Sequence, residues 1–349
     1  MQYKKLGDSE LIVSEFCLGT MNYGQQNTLE EAEKQLDYAI SPGINFIDTA
    51  EMYPAPTRAQ TQGKTEEYIG QWLSKQRRDQ LIIGTKVSGP SGDRTLPLTW
   101  IRDGNSRIDR KNVQEAIEGS LRRLQTDYID LYQIHWPDRY VPLFGAPDYD
   151  PRNQRETVPI LEQLEAFADL VKAGKIRYLG VSNETPWGVS EFFHLAKQLG
   201  LPKIVSIQNA FNLTNRVFQI HLAETCHFHN VGLIAYSTLG FGYLSGKHLS
   251  QTPAGSRIDL FPGFDQRYQK PYFQEAVKAY VEIADQYGLT PVQLALGFVR
   301  SRWFVTSTII AASTLDQLQE NLNCLEIELD PEILAEIDKV HARYPNPTP

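Results

Sequence analysis

The chain has 349 residues, of which 41% are hydrophobic and 22% charged, a composition typical of a globular protein with a large core. Its 42 acidic residues outnumber 34 basic ones, and the net charge of −8 argues against a nucleic-acid partner. No apolar run approaches the roughly 18 residues of a membrane span, and the first residues lack the apolar core of a signal peptide, so we expect a cytoplasmic protein with no membrane partner.

Short β-rich runs alternate with helical patterns along the whole chain. In order, the eight runs are EFCLG, INFID, LIIGTK, IDLYQIH, IRYLGVS, IVSIQN, GLIAYS and TSTIIAAS. The stretches between them include TLEEAEKQLDYAI, DRKNVQEAIEGSLRRL, VPILEQLEAFADLVKAG and TPWGVSEFFHLAKQLG, which have helical spacing and capping signals. Strict alternation predicts parallel strands, and right-handed crossovers let the eighth strand close onto the first. We therefore predict an α/β fold, a (β/α)₈ TIM barrel, as a single domain over residues 1–349.

Two segments are longer than ordinary connections. Residues 136–157 follow the fourth predicted strand and residues 238–271 follow the seventh. Both come after the C-terminal ends of strands, where such barrels build their sites, so we expect them to contact substrate or cofactor. The proline-initiated patterns TPVQLALGFVR and DPEILAEIDKVHARY predict extra helices before the last strand and at the C-terminus.

The cysteines and histidines give no metal-binding pattern. Cys17, Cys226 and Cys324 are far apart and lack the spacing of zinc ligands, so we expect reduced thiols. His227 and His229 are two residues apart on a predicted helix, which points their rings to different faces. We therefore predict no metal site.

Polar side chains lie at the ends of three consecutive predicted strands. Asp48 ends the second strand, Tyr53 lies on the loop after it, Lys86 ends the third strand and His135 ends the fourth. Each alone has an ordinary structural explanation, as a helix cap, a packed ring, a solvated lysine or a core histidine. Because the C-terminal ends of barrel strands meet at one mouth, we interpret the four together as a catalytic site.

The chemistry of these four groups is that of a general acid. A phenol has a pKa of about 10, and a nearby ammonium stabilises the phenolate, so we expect Lys86 to lower the pKa of Tyr53. Asp48 would keep Lys86 charged, and His135 could hydrogen-bond the same substrate oxygen and orient it. Such a group suits the reduction of a carbonyl, provided that another molecule brings the hydride.

Many ordered motifs carry a family resemblance. With the four residues above and the motifs GTMNYG, GKTEEYIG, GKIRYLGVSN, IQNAFN, AYSTLGFGYLSGK and STLDQLQEN, the chain resembles the aldo-keto reductase superfamily over essentially its whole length. Within it, AEMYP, TKVSGP, LQTDYIDLYQIHWP and NRVF are most similar to the bacterial Tas-like branch, which is related to potassium-channel β subunits. The resemblance implies an NADP-dependent oxidoreductase that reduces aldehydes or ketones to alcohols, with hydride from the nicotinamide and a proton from Tyr53. The implied catalytic tetrad is Asp48, Tyr53, Lys86 and His135.

The usual dinucleotide and phosphate fingerprints do not occur. The glycines of GFGYLSGK have one residue too many for GxGxxG and do not fit a P-loop, so without the family this stretch is typical of a surface loop. By resemblance, NADPH/NADP⁺ lies across the barrel mouth. The implied contacts to its nicotinamide, ribose and pyrophosphate are Thr20, Met21, Asp48, Ser182, Asn183, Gln208, Tyr236, Ser237, Leu239, Gly242 and Lys247.

A second group of residues is expected to bind the adenosine end. Ser313, Gln317 and Asn321 follow an i, i+4, i+8 spacing, which places them on one face of a helix that would begin with Ser313 as N-cap. The resemblance implies that this face holds the 2′-phosphate, with Arg257 as counter-charge and Glu320 toward the adenine. The alternative is an ordinary capped surface helix.

Substrate specificity is expected to lie in the two long loops. Tyr23, Trp136 and Phe211 are candidate apolar walls of the pocket for a small-molecule carbonyl substrate, although aromatic residues near a mouth are as often core. Two other functions stay open. One is a cofactor-binding regulatory or redox-sensing subunit with incidental turnover, and the other is a barrel lyase or metal hydrolase, which would need clustered metal ligands. No oligomeric state is predicted.

Overall fold

The computed structural model describes residues 1–91, 97–146 and 148–348, so Pro147, within the long loop predicted after the fourth strand, lies outside the described residues. The strands are β1 Tyr3–Lys5, β2 Ile12–Ser14, β3 Phe16–Gly19, β4 Phe46–Asp48, β5 Ile82–Val87, β6 Ile129–Ile134, β7 Ile176–Ser182, β8 Ile204–Ala210, β9 Gly232–Tyr236 and β10 Val305–Ile310. The α-helices are α1 Leu29–Ile40, α2 Lys64–Leu73, α3 Arg110–Leu124, α4 Ile160–Lys172, α5 Pro186–Leu199, α6 Leu222–His229, α7 Arg257–Leu260, α8 Phe273–Gln286, α9 Pro291–Arg300, α10 Leu315–Asn323 and α11 Pro331–Arg343.

Strands β3 to β10 form a closed barrel. Each is parallel to its neighbours in chain order, and β10 pairs with both β9 and β3, which closes the sheet. Every residue of β5 and of β6 is buried, as expected of parallel strands with helices outside and packed side chains inside. The predicted (β/α)₈ barrel is confirmed, and its eight strands correspond to the eight predicted runs.

Several helices begin at the capping residues that the sequence supplies. Thr28 and Glu31 form a capping box at the start of α1, and Thr290 and Gln293 form another at the start of α9. Gly200 ends α5 in the left-handed conformation. Helices α9 and α11 confirm the two extra helices expected near the C-terminus. Within the described ranges, none of the helices combines the length and the apolar character needed to cross a membrane.

An N-terminal hairpin, which the sequence reasoning missed, closes the N-terminal end of the barrel. Strands β1 and β2 pair antiparallel, and the hairpin buries Leu6, Leu11 and Val13 against side chains of the barrel strands. Gly7 has a φ of 53°, and a Cβ there would lie 2.1 Å from the Val205 carbonyl oxygen, so the turn requires glycine. The opposite, C-terminal end of the barrel is left for the two long loops, which follow β6 and β9.

Candidate active site

Four side chains from neighbouring strand ends meet inside the C-terminal mouth. Asp48 is the last residue of β4, Lys86 lies in β5 and His135 follows β6. Lys86 is fully buried, and its Nζ lies 2.6 Å from Asp48 Oδ2. The ring centroid of Tyr53 lies 5.2 Å from Lys86 Nζ and 5.6 Å from the ring centroid of His135, with the two rings nearly perpendicular. The four residues that the sequence singled out therefore lie together.

The Asp48 carboxylate accepts hydrogen bonds on both oxygens. Oδ2 accepts from Lys86, while Oδ1 accepts from Gln208 at 2.8 Å and from Gln133 at 3.2 Å. These partners compensate for the loss of water around a buried charged pair. The sequence reasoning missed Gln133. Its position two residues before His135 could have indicated its role, because side chains two residues apart in a strand point to the same face.

A buried ion pair anchors the segment between Asp48 and Tyr53. Glu51 accepts two hydrogen bonds from the Arg102 guanidinium, both of 2.8 Å, and one of 2.7 Å from the backbone N–H of Ser88. Burial raises the pKa of the Glu51 carboxyl, but the hydrogen bonds and charge of Arg102, the hydrogen bond from Ser88 and the charge of Arg123 together outweigh it and leave that pKa lowered. Glu51 is therefore a fixed anion that holds the loop on which Tyr53 lies.

Burial sets the protonation of the two rings. Burial and then the charge of Asp48 raise the pKa of Tyr53, and Arg257 opposes this shift. The predicted lowering of that pKa by Lys86 is therefore wrong for this structure, because the charge of Lys86 is already paired with Asp48, while burial and the Asp48 charge both disfavour the phenolate. Burial and then the charge of Lys86 hold the pKa of His135 well below its usual range. At neutral pH Tyr53 keeps its proton and His135 is a neutral imidazole.

A cavity of about 760 Å³ opens beside these side chains. Tyr53 and His135 line it, together with residues from barrel strand ends and from both long loops. The residues predicted to contact a cofactor all line the same cavity: Thr20, Met21, Asp48, Ser182, Asn183, Gln208, Tyr236, Ser237, Leu239, Gly242, Lys247, Arg257, Ser313, Gln317, Glu320 and Asn321. The fold thus gathers into one place residues that are spread over most of the chain.

A polar network lines the part of the cavity next to His135. The Tyr236 hydroxyl donates to Asn183 Oδ1 at 2.6 Å, and Asn183 Nδ2 donates to the His135 carbonyl at 2.9 Å. The Ser182 hydroxyl donates to the Gln208 carbonyl at 2.7 Å. Burial raises the pKa of Tyr236 to about 12, so its phenol stays protonated. Amide and hydroxyl groups held in this way can bind a ligand carboxamide.

Two cations that form no ion pair within the described part of the chain line another part of the cavity. Arg257 donates to Asn22 Oδ1, its Nε has no partner, and no carboxylate of the described residues forms an ion pair with it. Burial lowers its pKa to about 10, so the guanidinium is still charged at neutral pH. Burial and then Arg257 lower the pKa of Lys247, while Glu320 opposes this shift. Half-buried cations that lack an anionic partner fit a phosphate-bearing ligand.

The predicted helix face at α10 is present, but the helix begins one residue later than expected. Ser313, Gln317 and Asn321 all line the cavity. The N-cap is Thr314, whose hydroxyl accepts from the backbone N–H of Gln317, whereas the backbone N–H of Ser313 donates to Gln317 Oε1 at 3.0 Å. The prediction of Ser313 as N-cap is therefore wrong. Its hydroxyl accepts from Gln26 instead, at 3.0 Å.

The three aromatic residues expected as substrate-pocket walls pack in the interior, which corrects that expectation. Tyr23 is 1% exposed, Trp136 and Phe211 are fully buried, and none of the three lines the cavity as far as the described residues define it. The Tyr23 hydroxyl donates to Gln35, and Trp136 Nε1 donates to the Pro90 carbonyl at 3.1 Å. The phenylalanines that do line the cavity come from the two long loops: Phe144, Phe241 and Phe264.

Comparison with known proteins agrees with this geometry. Residues 15–342 match the model of the Aldo/keto reductase family. The chain is 50% identical, over the full length of both proteins, to "Protein tas" of Escherichia coli (strain K12). It is 32% identical to "Uncharacterized oxidoreductase YrpG" of Bacillus subtilis (strain 168), over 99% of this chain and 97% of that one. It is 31% identical to "Putative voltage-gated potassium channel subunit beta" of Schizosaccharomyces pombe, over 97% and 92% of the two chains. The chain therefore belongs to the aldo/keto reductase family and is an oxidoreductase.

Proposed function

We propose that this chain is an NADPH-dependent reductase that converts aldehydes and ketones to alcohols, with Tyr53 as the proton donor. The observation that carries the proposal is the placement of Tyr53 and His135 beside the buried pair of Asp48 and Lys86, at a cavity of about 760 Å³. One oxygen of a small substrate can meet both rings there, which is the arrangement that general acid catalysis requires.

The residues of the cavity fit a nicotinamide cofactor with several phosphates. The polar network around Asn183 would hold the nicotinamide, and Lys247 and Arg257 would face the phosphates. The buried Nε of Arg257, which has no partner among the described residues, is the observation that supports this fit, because a buried polar atom of a cation is costly unless a ligand supplies its partner. When bound, NADPH supplies the hydride that carbonyl reduction needs.

The chain's own residues would move and stabilise the proton. Burial keeps the proton on the Tyr53 hydroxyl until a substrate oxygen is present to take it. The phenolate left behind lies near the ammonium of Lys86, which the ion pair with Asp48 holds in place. The neutral ring of His135 would donate its N–H to the same substrate oxygen and fix the carbonyl in one orientation.

Replacement of the Tyr53 hydroxyl tests the proposal. Tyr53→Phe keeps the ring and removes the proton donor, so we expect kcat for aldehyde reduction to decrease by roughly 10² to 10⁴. The measurement is NADPH oxidation with a panel of aldehydes, ketones and quinones, together with NADPH affinity by fluorescence titration. The affinity should change by less than about twofold, since no cofactor contact is removed.

The matched control is Tyr3→Phe in the N-terminal hairpin. Tyr3 is half exposed and its hydroxyl donates to the Gly43 carbonyl, at the end of the barrel remote from the mouth. This variant should have the same kcat for aldehyde reduction as the wild type. Full activity in Tyr53→Phe would show that Tyr53 is not the proton donor, which contradicts the central step of the proposal.

A regulatory or redox-sensing subunit is the second candidate function. The observation that favours it is the 31% identity to the protein described as a potassium channel subunit beta. Affinity purification from the source cells distinguishes the two. A stoichiometric protein partner, found together with slow turnover of the whole carbonyl panel, would favour the regulatory role.

Two expectations about the protein as a whole accompany the proposal. We propose that residues 1–349 are a single domain, and a stable fragment released by limited proteolysis would contradict this. We also propose a cytoplasmic location, which suits the buried free thiols of Cys17, Cys226 and Cys324. Recovery of the protein in a secreted or periplasmic fraction would contradict the second point.

A further inference from the structure

Arg267, in the long loop after β9, lines the cavity between two phenylalanine rings. Its guanidinium carbon lies 5.1 Å from the ring centroid of Phe144 and 5.4 Å from that of Phe241. The backbone of both phenylalanines is in the left-handed region, with φ of 51° at Phe144 and 57° at Phe241. Residues other than glycine rarely adopt this conformation. Backbone conformations of this kind collect at ligand-binding positions. The guanidinium is therefore held in place by aromatic stacking from both long loops.

Within the described residues, no carboxylate forms an ion pair with the guanidinium of Arg267. Among the residues that the structure describes, the charged side chains that line the cavity are two carboxylates, Asp48 and Glu320, and three cations, Lys247, Arg257 and Arg267. Asp48 is already paired with Lys86 beneath the cavity. The cavity therefore has an excess of positive charge that attracts anionic ligands.

The contacts of Arg267 connect it to the polar network beside His135. Phe144 belongs to the loop that begins at His135, and both residues line the cavity. Arg267 also opposes the burial-induced rise in the pKa of Tyr236, whose hydroxyl bonds to Asn183 next to His135.

The two other cations of the cavity differ from Arg267 in their polar neighbours. Arg257 shares the Phe241 ring with Arg267, at 5.2 Å from the ring centroid, but it also donates to Asn22. The charge of Glu320 acts on Lys247. In the proposed function these two cations face the cofactor phosphates, so Arg267 is left for the substrate.

We propose that Arg267 is a specificity-determining residue that binds a carboxylate of the substrate, so that the preferred substrates are aldehydes or ketones that also carry a carboxylate. Phe144 and Phe241 would cover the apolar body of such a molecule while the guanidinium pairs with its carboxylate. This inference rests on the proposed carbonyl reductase function and names the substrate class of the same site.

The kinetic test compares substrates that differ only in the anionic group. The probes are para-carboxybenzaldehyde against para-methylbenzaldehyde, and succinic semialdehyde against butanal. The wild type should reduce at least one carboxylate with a kcat/KM roughly tenfold or more above that of its neutral partner. Arg267→Met, which keeps length and apolar contact, should lower the ratio of kcat/KM for the carboxylate to that for its neutral partner by roughly tenfold to a hundredfold, through KM for the carboxylate. Arg267→Lys should restore part of the difference.

A binding measurement makes the inference independent of turnover. Calorimetric titration of para-carboxybenzyl alcohol and para-methylbenzyl alcohol into the protein saturated with NADP⁺ should show the carboxylate preference in the wild type and its loss in Arg267→Met. If no carbonyl is reduced but this preference is present, the proposed reductase function fails while the carboxylate site stands.

Two other outcomes overturn the carboxylate site. One is equal kinetics and equal binding for the charged and neutral probes in the wild type. The other is a loss of NADPH affinity in Arg267→Met that matches its loss of activity, which would assign Arg267 to the cofactor. The control is Arg302→Met, since Arg302 also lies over a phenylalanine ring, that of Phe298 at 4.8 Å, but does not line the cavity. It should change none of these quantities.

Discussion

The lowered pKa of His135 makes the stability of the protein depend on pH in the acid range. Its folded-state pKa lies well below the unfolded value of about 6.5, because burial and then the charge of Lys86 disfavour the imidazolium. As pH falls, the unfolded chain therefore binds this proton before the folded chain does. The stability that comes from neutral His135 is complete above about pH 6.5 and decreases as pH falls toward the folded-state pKa.

His135→Asn should therefore make the protein less sensitive to acid. We expect the decrease in unfolding free energy between about pH 7 and pH 5 to be roughly 1 to 2 kcal/mol smaller than in the wild type. Urea unfolding at the two pH values measures this. The control is His194→Asn on the exposed side of α5, which should follow the wild type. An acid sensitivity in His135→Asn equal to that of the wild type would mean that His135 is not the neutral buried group described here.

Individual site residues were predictable where topology alone decides their position. Asp48, Lys86 and His135 lie at or next to the C-terminal ends of consecutive parallel strands, so a barrel brings them to one mouth whatever the details of packing. The direction of the Tyr53 pKa was not predictable, because it depends on burial and on the pairing of Lys86 with Asp48. Contacts such as that of Arg267 with Phe144 join two distant loops and leave no periodic signal in the sequence.

Elements with a clear periodic pattern were predicted, and short ones were not. The eight barrel strands and helices such as α4 and α5 have runs long enough to show their period. Each strand of the N-terminal hairpin has only three residues, which is too few to establish an alternation. Helix α10 begins in a Ser-Thr pair, where either hydroxyl could cap, and only the backbone geometry shows that Thr314 does so.

The loop after β9 and helix α10 together form the part of the cavity that we assign to the cofactor phosphates. Arg257 starts the short helix α7 in that loop, and Ser313 precedes α10. Arg257→Ala should weaken NADPH binding by roughly tenfold to a hundredfold, because one charge-assisted contact to the 2′-phosphate is lost. NADH lacks that phosphate, so its affinity should change little. Fluorescence titration of both nucleotides measures the difference.

A neighbouring arginine provides the control for net charge. Arg58 lies over the ring of Phe261 in the same loop, at 5.6 Å, but does not line the cavity. Arg58→Ala should leave both affinities unchanged. An equal loss for NADPH and NADH in Arg257→Ala would show that Arg257 does not contact the 2′-phosphate.

At the scale of the whole molecule, one ion pair lies at the seam where the barrel closes. Glu15 directly precedes β3, and its backbone carbonyl accepts from the N–H of Thr308 in β10 at 2.8 Å. Its carboxylate accepts from Arg300, the last residue of α9, at 2.9 and 3.0 Å. The same guanidinium donates to the backbone carbonyls of Cys324, Leu325 and Ile327. One side chain therefore links α9, the first and last barrel strands, and the segment after α10.

Arg300→Met should destabilise the whole barrel, because it leaves the nearly buried carboxylate of Glu15 without its ion-pair partner and three carbonyls without this donor. We expect the free energy of unfolding to decrease by about 3 to 5 kcal/mol, measured by urea denaturation at neutral pH. Adding Glu15→Gln to that variant should recover part of the loss, since it removes the uncompensated charge. The control is Lys34→Met, which breaks the exposed pair with Glu30 and should leave the urea midpoint nearly unchanged. If Arg300→Met is as stable as this control, the Arg300 contacts do not stabilise the closure of the barrel, and the pairing of β3 with β10 is sufficient for it.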